Sequence, residues 1–483
     1  MFLPKDNYTM DSNSVLEIFK EITRIPRESG HEAPVTAYLQ DWAAARNLEC
    51  KTDETGNVMI AKPASPGKEN VPTIVLQAHQ DMVCEKLPGS THDFLNDPIE
   101  YVIEDGWMIA KETTLGADDG IGIAACLAIL ESDLCTGRIE CVFTISEETG
   151  MDGAFAMEKG FFTGKTLINL DSEDEGQIFI GCAGGLNTIA TFRYGTEPVK
   201  DGYQTLRLSV GGAMGGHSGD DINRGRCNTI QQMVRFLCSE QKLGMQLVSL
   251  EGGNKSNAIA RDCTAVVAVP DAAATAARFA ALGEAVKVEF HVTDPGVCFT
   301  SAAAEAAGEA VEAKVATRLV TALFTCPHGM QSMSQDIAGL VETSTNLASV
   351  KMTEPGVFKV VTSQRSSTAS EKKMIGDKVA AHLEAAGAEV EHINEYPGWK
   401  PDVDSHVLKV CVESYKKLFG TDPLVLAIHA GLECGLFQEK FGGLDMISFG
   451  PTLRGVHAPG ERLELASMDK FVLLLEDIVT NFS

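Results

Sequence analysis

Five short stretches of this chain carry residue types that bind cations or move protons: His79-Gln80-Asp81, Asp118-Asp119, Glu147-Glu148, Asp171 and His457. His79, Asp118, Glu148, Asp171 and His457 together offer two imidazoles and three carboxylates. Such a set suits two zinc-like divalent ions bridged by one carboxylate and one water. Metal-binding histidines usually donate their second ring N–H to a carboxylate, and Asp81, two residues after His79, is placed for that support. Glu147 is then left over beside a ligand, able to take a proton from the water. Two ions about 3.5–4 Å apart polarise a carbonyl and lower the pKa of bound water toward about 7. Each residue alone has a plainer reading: His-x-Asp as a surface turn, Asp118 as a helix N-cap, the paired glutamates as a solvated turn. Their shared position at strand ends argues for hydrolytic metal chemistry instead.

The elements that must deliver these groups are legible as apolar runs. Residues 73–76, 139–145, 167–170 and 446–449 read as buried strands, and His79, Glu147-Glu148 and Asp171 follow three of them directly. In open α/β sheets, ligands sit outside the carboxyl ends of the strands. Helical spacing marks 14–24, 31–46, 405–418 and 467–481, and a Gly/Ala-rich helix, 121–131, follows Asp118. Further strands are expected at 57–61 and 424–428. From about residue 188 the texture changes. Alternation at 205–210, 264–269, 286–292 and 357–361 reads as strands, and Ala-rich runs at 271–284 and 301–323 read as helices. The expected fold class is therefore α/β. A discontinuous three-layer catalytic domain, 1–187 with 395–483, carries a mixed, largely parallel sheet, and 188–394 is an inserted α+β lid domain. Within the insert, Gly211 to Gly219 is a Gly-rich turn presenting His217. It lacks GK[ST] and Rossmann spacing, so phosphate cradling is discounted. His429, flanked by apolar residues, reads as a packed histidine rather than a sixth ligand.

Composition narrows the class. With 483 residues the chain exceeds one ordinary core. A formal net charge of −27 opposes nucleic-acid binding, which needs dense Lys and Arg. The 13 cysteines are scattered without CxxC pairs, which points to reduced thiols and a cytoplasmic location. Residues 1–6 show no charged-then-apolar leader pattern. No run of about 18 apolar residues exists, so no membrane span is expected.

The motif series His79-Gln80-Asp81-Met82-Val83, Gly116-Ala117-Asp118-Asp119-Gly120, Glu147-Glu148-Thr149-Gly150-Met151-Asp152-Gly153 and Asn169-Leu170-Asp171-Ser172-Glu173 resembles that of the co-catalytic zinc peptidase family. This is the family of carboxypeptidase G, aminoacylase and carnosinase. Gly181-Cys182-Ala183-Gly184-Gly185, Gly215-Gly216-His217-Ser218-Gly219 and the stretch from His429 to Phe437 are similar to its aminoacyl-histidine dipeptidase branch. The similarity runs from about Val15 to Asp477.

The resemblance implies a metallo-dipeptidase acting on Xaa-His and related dipeptides, with two divalent ions per chain, zinc first and manganese or cobalt as alternatives. It implies His79, Asp118, Glu148, Asp171 and His457 as ligands with Asp118 bridging, Asp81 as support for His79 and Glu147 as general base. It also implies a cis or strained Asp118–Asp119 peptide. His217 from the lid would hold the scissile carbonyl oxygen. Asn257, Asn228 and Arg365 would meet the substrate's C-terminal carboxylate, which Arg can grip with two parallel hydrogen bonds. Arg365 has a plainer reading as the partner of a surface carboxylate. Glu433 would meet the free ammonium. Asp119 departs from the branch, which often has Asn there. A homodimer is an allowed assembly. Two rivals remain: a tripeptidase or N-acyl-amino-acid amidohydrolase of the same family, and a non-catalytic metal or peptide binder, against which the spare Glu147 argues.

Overall fold

Four of the apolar runs lie side by side and parallel in the computed structural model, which describes residues 11–483. They are Ile139–Thr144, Ile74–His79, Thr166–Asn169 and Asp445–Ser448. Every residue of the first three is buried. Burial on both faces explains why these strands read as continuous apolar runs rather than as alternation. Four more strands complete an eight-stranded sheet: Val58–Lys62 and Glu49–Thr52, each antiparallel to its inner neighbour, beyond Ile139–Thr144, and antiparallel Gln177–Cys182 and then Leu424–Ile428 beyond Asp445–Ser448. The sheet is thus mixed and parallel at its centre, as the α/β expectation requires. Helix Ala117–Glu131 packs on Ile74–His79 and on helix Ser12–Ile22, and helix His406–Phe419 packs on Leu465–Asn481. A smaller antiparallel sheet orders Leu453–Arg454, Arg462–Glu464, Trp107–Ala110 and Tyr101–Glu104. The turn between its first two strands carries His457.

The chain divides into two compact units. Among the described residues the first holds 11–181, 401–427 and 432–483, and the second holds 182–400 and 428–431. These limits differ by a few residues from 187 and 395, because Gly184–Arg193 and Glu389–Tyr396 are neighbouring strands of the second unit's own sheet. The excursion at 428–431 carries no signal in the sequence. It arises because the Ala183 N–H donates to the carbonyls of Ile428 and Ala430.

The second unit is built on an antiparallel sheet. Its order is Cys298–Ala303, Gln204–Gly211, Cys263–Val269, Gln246–Gly252, Val341–Glu354, Val357–Ser366, Gly184–Arg193 and Glu389–Tyr396. Helices Thr229–Gln241, Ala313–Thr325 and Ala369–Ala385 supply Ile230, Leu319 and Val379 to its core. Two expectations fail here. The alternating Val286 to Val292 is not a strand, since helix Ala272–Glu289 runs into it. Phe279, Gly283 and Val286 are buried at helical spacing, while Val288 and Val292 are exposed. Residues 301–303 are not helical despite their alanines. They end an edge strand paired with Leu206 to Leu208, so sheet pairing overrides a weak local preference.

Residues 1–6, read as lacking a leader pattern, lie outside the described residues. Among the described residues no helix is long and apolar enough to cross a membrane.

Candidate active site

His79 is the last residue of its all-buried strand, and its own side chain is fully enclosed. Its Nε2 lies 2.9 Å from Asp118 Oδ1 and 3.6 Å from Asp171 Oδ1. Asp171 stands two residues past the end of Thr166–Asn169, at the same sheet edge. Glu147 and Glu148 open a single helical turn, Glu147–Gly150, just after Ile139–Thr144. His457 occupies a left-handed turn (φ 62°), and its Nε2 lies 3.1 Å from Asp118 Oδ2 and 3.0 Å from Glu148 Oε1. Asp118 therefore turns one oxygen to each imidazole. One side gathers His79 and Asp171, the other His457 and Glu148. The Asp118–Asp119 peptide bond is cis.

Ligand atoms of His79, Asp118 and Glu148 lie within 4.8 Å of one another, and so do those of His79, Asp119 and Asp171. Asp119 is better explained as a brace than as a ligand. Its Oδ2 accepts the backbone N–H of His79 at 3.2 Å and its Oδ1 accepts that of Gly122 at 3.2 Å. A Cβ on Gly122 would sit 2.3 Å from that Oδ1, so only glycine fits.

The electrostatics test whether this donor set fits cations. Hydrogen-bonded carboxylates of Asp118 and Glu148 push the His457 imidazole up to about 11. Burial works against charging His79, yet Asp171, Asp118 and Asp81 raise it well above the usual histidine range. Burial first, and neighbouring carboxylates after it, push Asp171, Asp119 and Glu147 far above the ordinary carboxylate range. Two like charges about 4 Å apart cost about 4 kcal/mol at an effective dielectric near 20. A hydrogen bond to a charged group returns only about 1.5–3 kcal/mol. Hydrogen bonds alone do not balance this cluster, whereas two dications would relieve every one of these shifts. The residues fit a pair of divalent ions, and the all-imidazole and carboxylate donor set suits zinc, manganese or cobalt.

Around the ligands a second set of charged groups holds backbone rather than cations. Asp81, fully buried, lies 3.3 Å from His79 Nδ1. Its Oδ1 accepts the Glu147 N–H at 3.0 Å, and its Oδ2 accepts the Glu148 N–H at 3.2 Å and the Ser29 hydroxyl at 2.7 Å. Burial raises its carboxyl, but the bonds from His79, Ser29 and Glu147 outweigh it and bring the pKa down to about 2. Asp81 thus serves the base-bearing turn as well as His79. Asp81→Ala is expected to weaken metal binding by about 10–100-fold, the usual cost of losing a ligand's supporting partner. Metal titration followed by calorimetry checks this; unchanged affinity would confine Asp81 to the turn.

Sequence reasoning missed two further holders. Glu461 accepts the N–H groups of Leu115, Gly116 and Ala117 at 2.8, 3.1 and 2.8 Å, fixing the approach to Asp118. Arg27, almost wholly buried, donates to the carbonyls of Gln80 (3.1 Å), Asp81 (2.7 Å) and Gly116. It thereby ties the His79 loop to the Asp118 loop. Gly116, at φ 68°, leaves room for that guanidinium, which a Cβ would meet at 2.5 Å. The only sequence signal for either residue is a charge set beside glycine or proline.

Glu433 starts helix Glu433–Phe441 and is 0 % exposed. Its Oε2 accepts from Gln77 Nε2 (2.7 Å) and Thr144 Oγ1 (2.8 Å), and burial raises its pKa to about 7. Oε2 thus braces two strands, while Oε1, equally buried, has no hydrogen-bond partner among the described residues.

In the second unit, His217, Arg365 and Asn257 come together and Asn228 does not join them. Arg365 is buried, with Nη2 3.3 Å from His217 Nε2, and it donates to the Ser218 (3.3 Å) and Tyr396 (3.0 Å) hydroxyls. Among the described residues it forms no ion pair, so the plainer reading of a surface carboxylate partner fails. Asn257 is exposed and accepts the Ser218 N–H on its carbonyl at 2.8 Å, beside His217. Asn228 is a correction. Its side-chain oxygen caps helix Thr229–Gln241 through Ile230 and Gln231, and its amide donates to the Leu347 carbonyl, so this buried side chain is committed to the fold. His429 is packed, its Nε2 2.7 Å from the Ser344 hydroxyl, with its pKa lowered to about 3 by burial and by Arg365.

Residues 75–481 match the model of peptidase family M20/M25/M40. The chain is 36% identical over 467 residues to the cytosol non-specific dipeptidase of Escherichia coli, covering 96% of each. It superposes on an aminoacylhistidine dipeptidase from Vibrio alginolyticus with a TM-score of 0.90 at 38% identity, covering 98% of each chain. An aminopeptidase from Bacillus cereus shares the fold at TM-score 0.57 and 17% identity, again over 98% of each chain.

Proposed function

The chain belongs to peptidase family M20/M25/M40, and from that premise we propose a metal-dependent dipeptidase that hydrolyses Xaa-His and related dipeptides of the carnosine type. The reading is carried by Asp118, whose two oxygens face different imidazoles while the spare Glu147 stands beside the ligand Glu148. Bound at His79, Asp118, Asp171, Glu148 and His457, two divalent ions, with zinc the first choice, supply Lewis acidity and lower the pKa of bound water toward about 7.

Glu147 takes the proton of the attacking water as its oxygen joins the scissile carbonyl carbon. It returns that proton to the amide nitrogen as the C–N bond breaks, leaving one free carboxylate and one free amine. Asp81 holds Glu147 by its backbone N–H, so the base is aimed without using its own carboxylate. Arg365 is assigned the substrate's C-terminal carboxylate. What supports this is a buried guanidinium that has two hydroxyls and an imidazole as hydrogen-bonding neighbours and forms no ion pair among the described residues. His217 is assigned the scissile carbonyl oxygen and Asn257 a place beside Arg365. The similarity to the cytosol non-specific dipeptidase of Escherichia coli supports a cytoplasmic setting.

A substrate panel tests the proposal. The protein is stripped with a chelator, restored separately with zinc, manganese or cobalt, and offered Xaa-His dipeptides, other dipeptides, tripeptides, N-acetyl amino acids and dipeptide amides. Free dipeptides are expected to be cleaved best, and blocking the C-terminus is expected to raise KM. Preferred cleavage of N-acetyl amino acids would replace this reading with an amidohydrolase.

A further inference from the structure

Three consecutive backbone N–H groups lead into the proposed general base, and two buried acids accept all three. Asp81 takes those of Glu147 and Glu148. The third, Ser146, is served by Glu32, a residue more than one hundred positions earlier and 5 % exposed. Glu32 Oε1 accepts the Ser146 N–H at 3.0 Å, the Ser146 hydroxyl at 3.0 Å and the Gly30 N–H at 3.0 Å. One residue earlier still, the Ile145 N–H donates to Asn57 Oδ1 at 3.2 Å. Ser146 has φ 51°, in the left-handed region that a non-glycine residue adopts at a cost. Its backbone angles set the direction in which the chain leaves strand Ile139–Thr144 and hence where the Glu147 carboxylate points. The Ser146 side chain and backbone both bind the same oxygen, so Glu32 fixes that conformation from two sides.

We propose that Glu32 is a positioning residue for Glu147, holding the left-handed Ser146 turn that aims the general base. The proposal rests on the dipeptidase reading for what the base does, but not for the hold on the turn. Glu32 also accepts the nearby Gly30 N–H, but it precedes helix Ala33–Ala45 without capping it through its side chain. Because all three donors converge on one oxygen, the carbonyl oxygen of a glutamine can take the same place. An alanine cannot.

The test compares Glu32→Ala, Glu32→Gln and Ser146→Ala with the wild type in metal-loaded protein. Glu32→Ala is expected to lower kcat by about 10–100-fold, the scale of a misaimed catalytic group, with KM and the bound-metal count unchanged. Glu32→Gln is expected to stay within about threefold of wild type, and Ser146→Ala, missing one of three donors, to lose about twofold to tenfold. Hydrogen exchange across residues 143–150 gives a readout independent of activity. It is expected to quicken in Glu32→Ala and to stay slow in Glu32→Gln. If Glu32→Ala does not fold, Ser146→Ala and Glu32→Gln carry the comparison. The proposal is overturned by a Glu32→Ala kcat within twofold of wild type, by loss of metal in step with activity, or by Glu32→Gln failing as badly as the alanine. A wild type that cleaves no dipeptide would sink the dipeptidase reading alone, with unaltered exchange in Glu32→Ala still the result that sinks this one.

Discussion

Glu147→Gln is expected to keep both metal ions and the wild-type fold while losing about 10²–10⁴-fold in turnover, the range that general acid–base groups contribute. The substitution preserves shape and the backbone bond to Asp81, because that bond comes from the Glu147 N–H and not from its side chain. What it removes is the capacity to accept a proton. The proposed ligands on either side of Asp118, His79 with Asp171 and His457 with Glu148, are untouched. Burial and the surrounding carboxylates hold the Glu147 carboxyl well above its ordinary range, and bound dications act in the opposite direction. The two influences leave a base able both to take and to return a proton. Steady-state kinetics and elemental analysis on one preparation decide the matter. Turnover within threefold of wild type with two ions bound would show that the proton goes elsewhere.

The ligands are legible in the sequence because most of them lie within a few residues of the end of an apolar run. His79, Glu147-Glu148 and Asp171 follow strands whose burial is continuous, and the sheet edge collects what such strands deliver. Glu461, Glu32 and Arg27 are not legible, for a different physical reason. They act on backbone amides and carbonyls, groups that every residue carries, and the partners become specific only when loops from distant strands converge. Asn228 misleads in the converse way. Its residue type suits substrate binding, but it sits at a helix start that needs an N-cap. Nor does local pattern decide the strands of the second unit. Val286 to Val292 alternates, yet Val286 belongs to a buried helical stripe, and Ala302 and Ala303 end an edge strand paired with Leu206 and Arg207.

Removing the metal is expected to abolish activity and to lower the melting temperature, with both restored at two ions per chain. The stoichiometry follows from Asp118: one carboxylate with its oxygens committed to separate imidazoles divides the donors into two groups, too many for a single tetrahedral ion. The loss of stability follows from the carboxylates. Asp118, Asp119, Glu147, Glu148 and Asp171 are brought together by the fold, and without cations the folded state must bear their mutual repulsion or take up protons against it, a cost the unfolded chain escapes. Ions that bind only the folded state stabilise it by RT ln(1 + [L]/Kd), about 4.1 kcal/mol at a thousandfold excess over Kd. At roughly 2–4 °C per kcal/mol for units of a couple of hundred residues, the metal-free protein should melt on the order of 10 °C lower. All five ligands belong to the first unit, so its unfolding should carry the shift while amide exchange in the second unit's sheet changes little. Titration of stripped protein with zinc, manganese and cobalt, read by calorimetry and elemental analysis, measures each part. Saturation at one ion, or a melting temperature indifferent to the chelator, would leave the bridged pair at Asp118 without support.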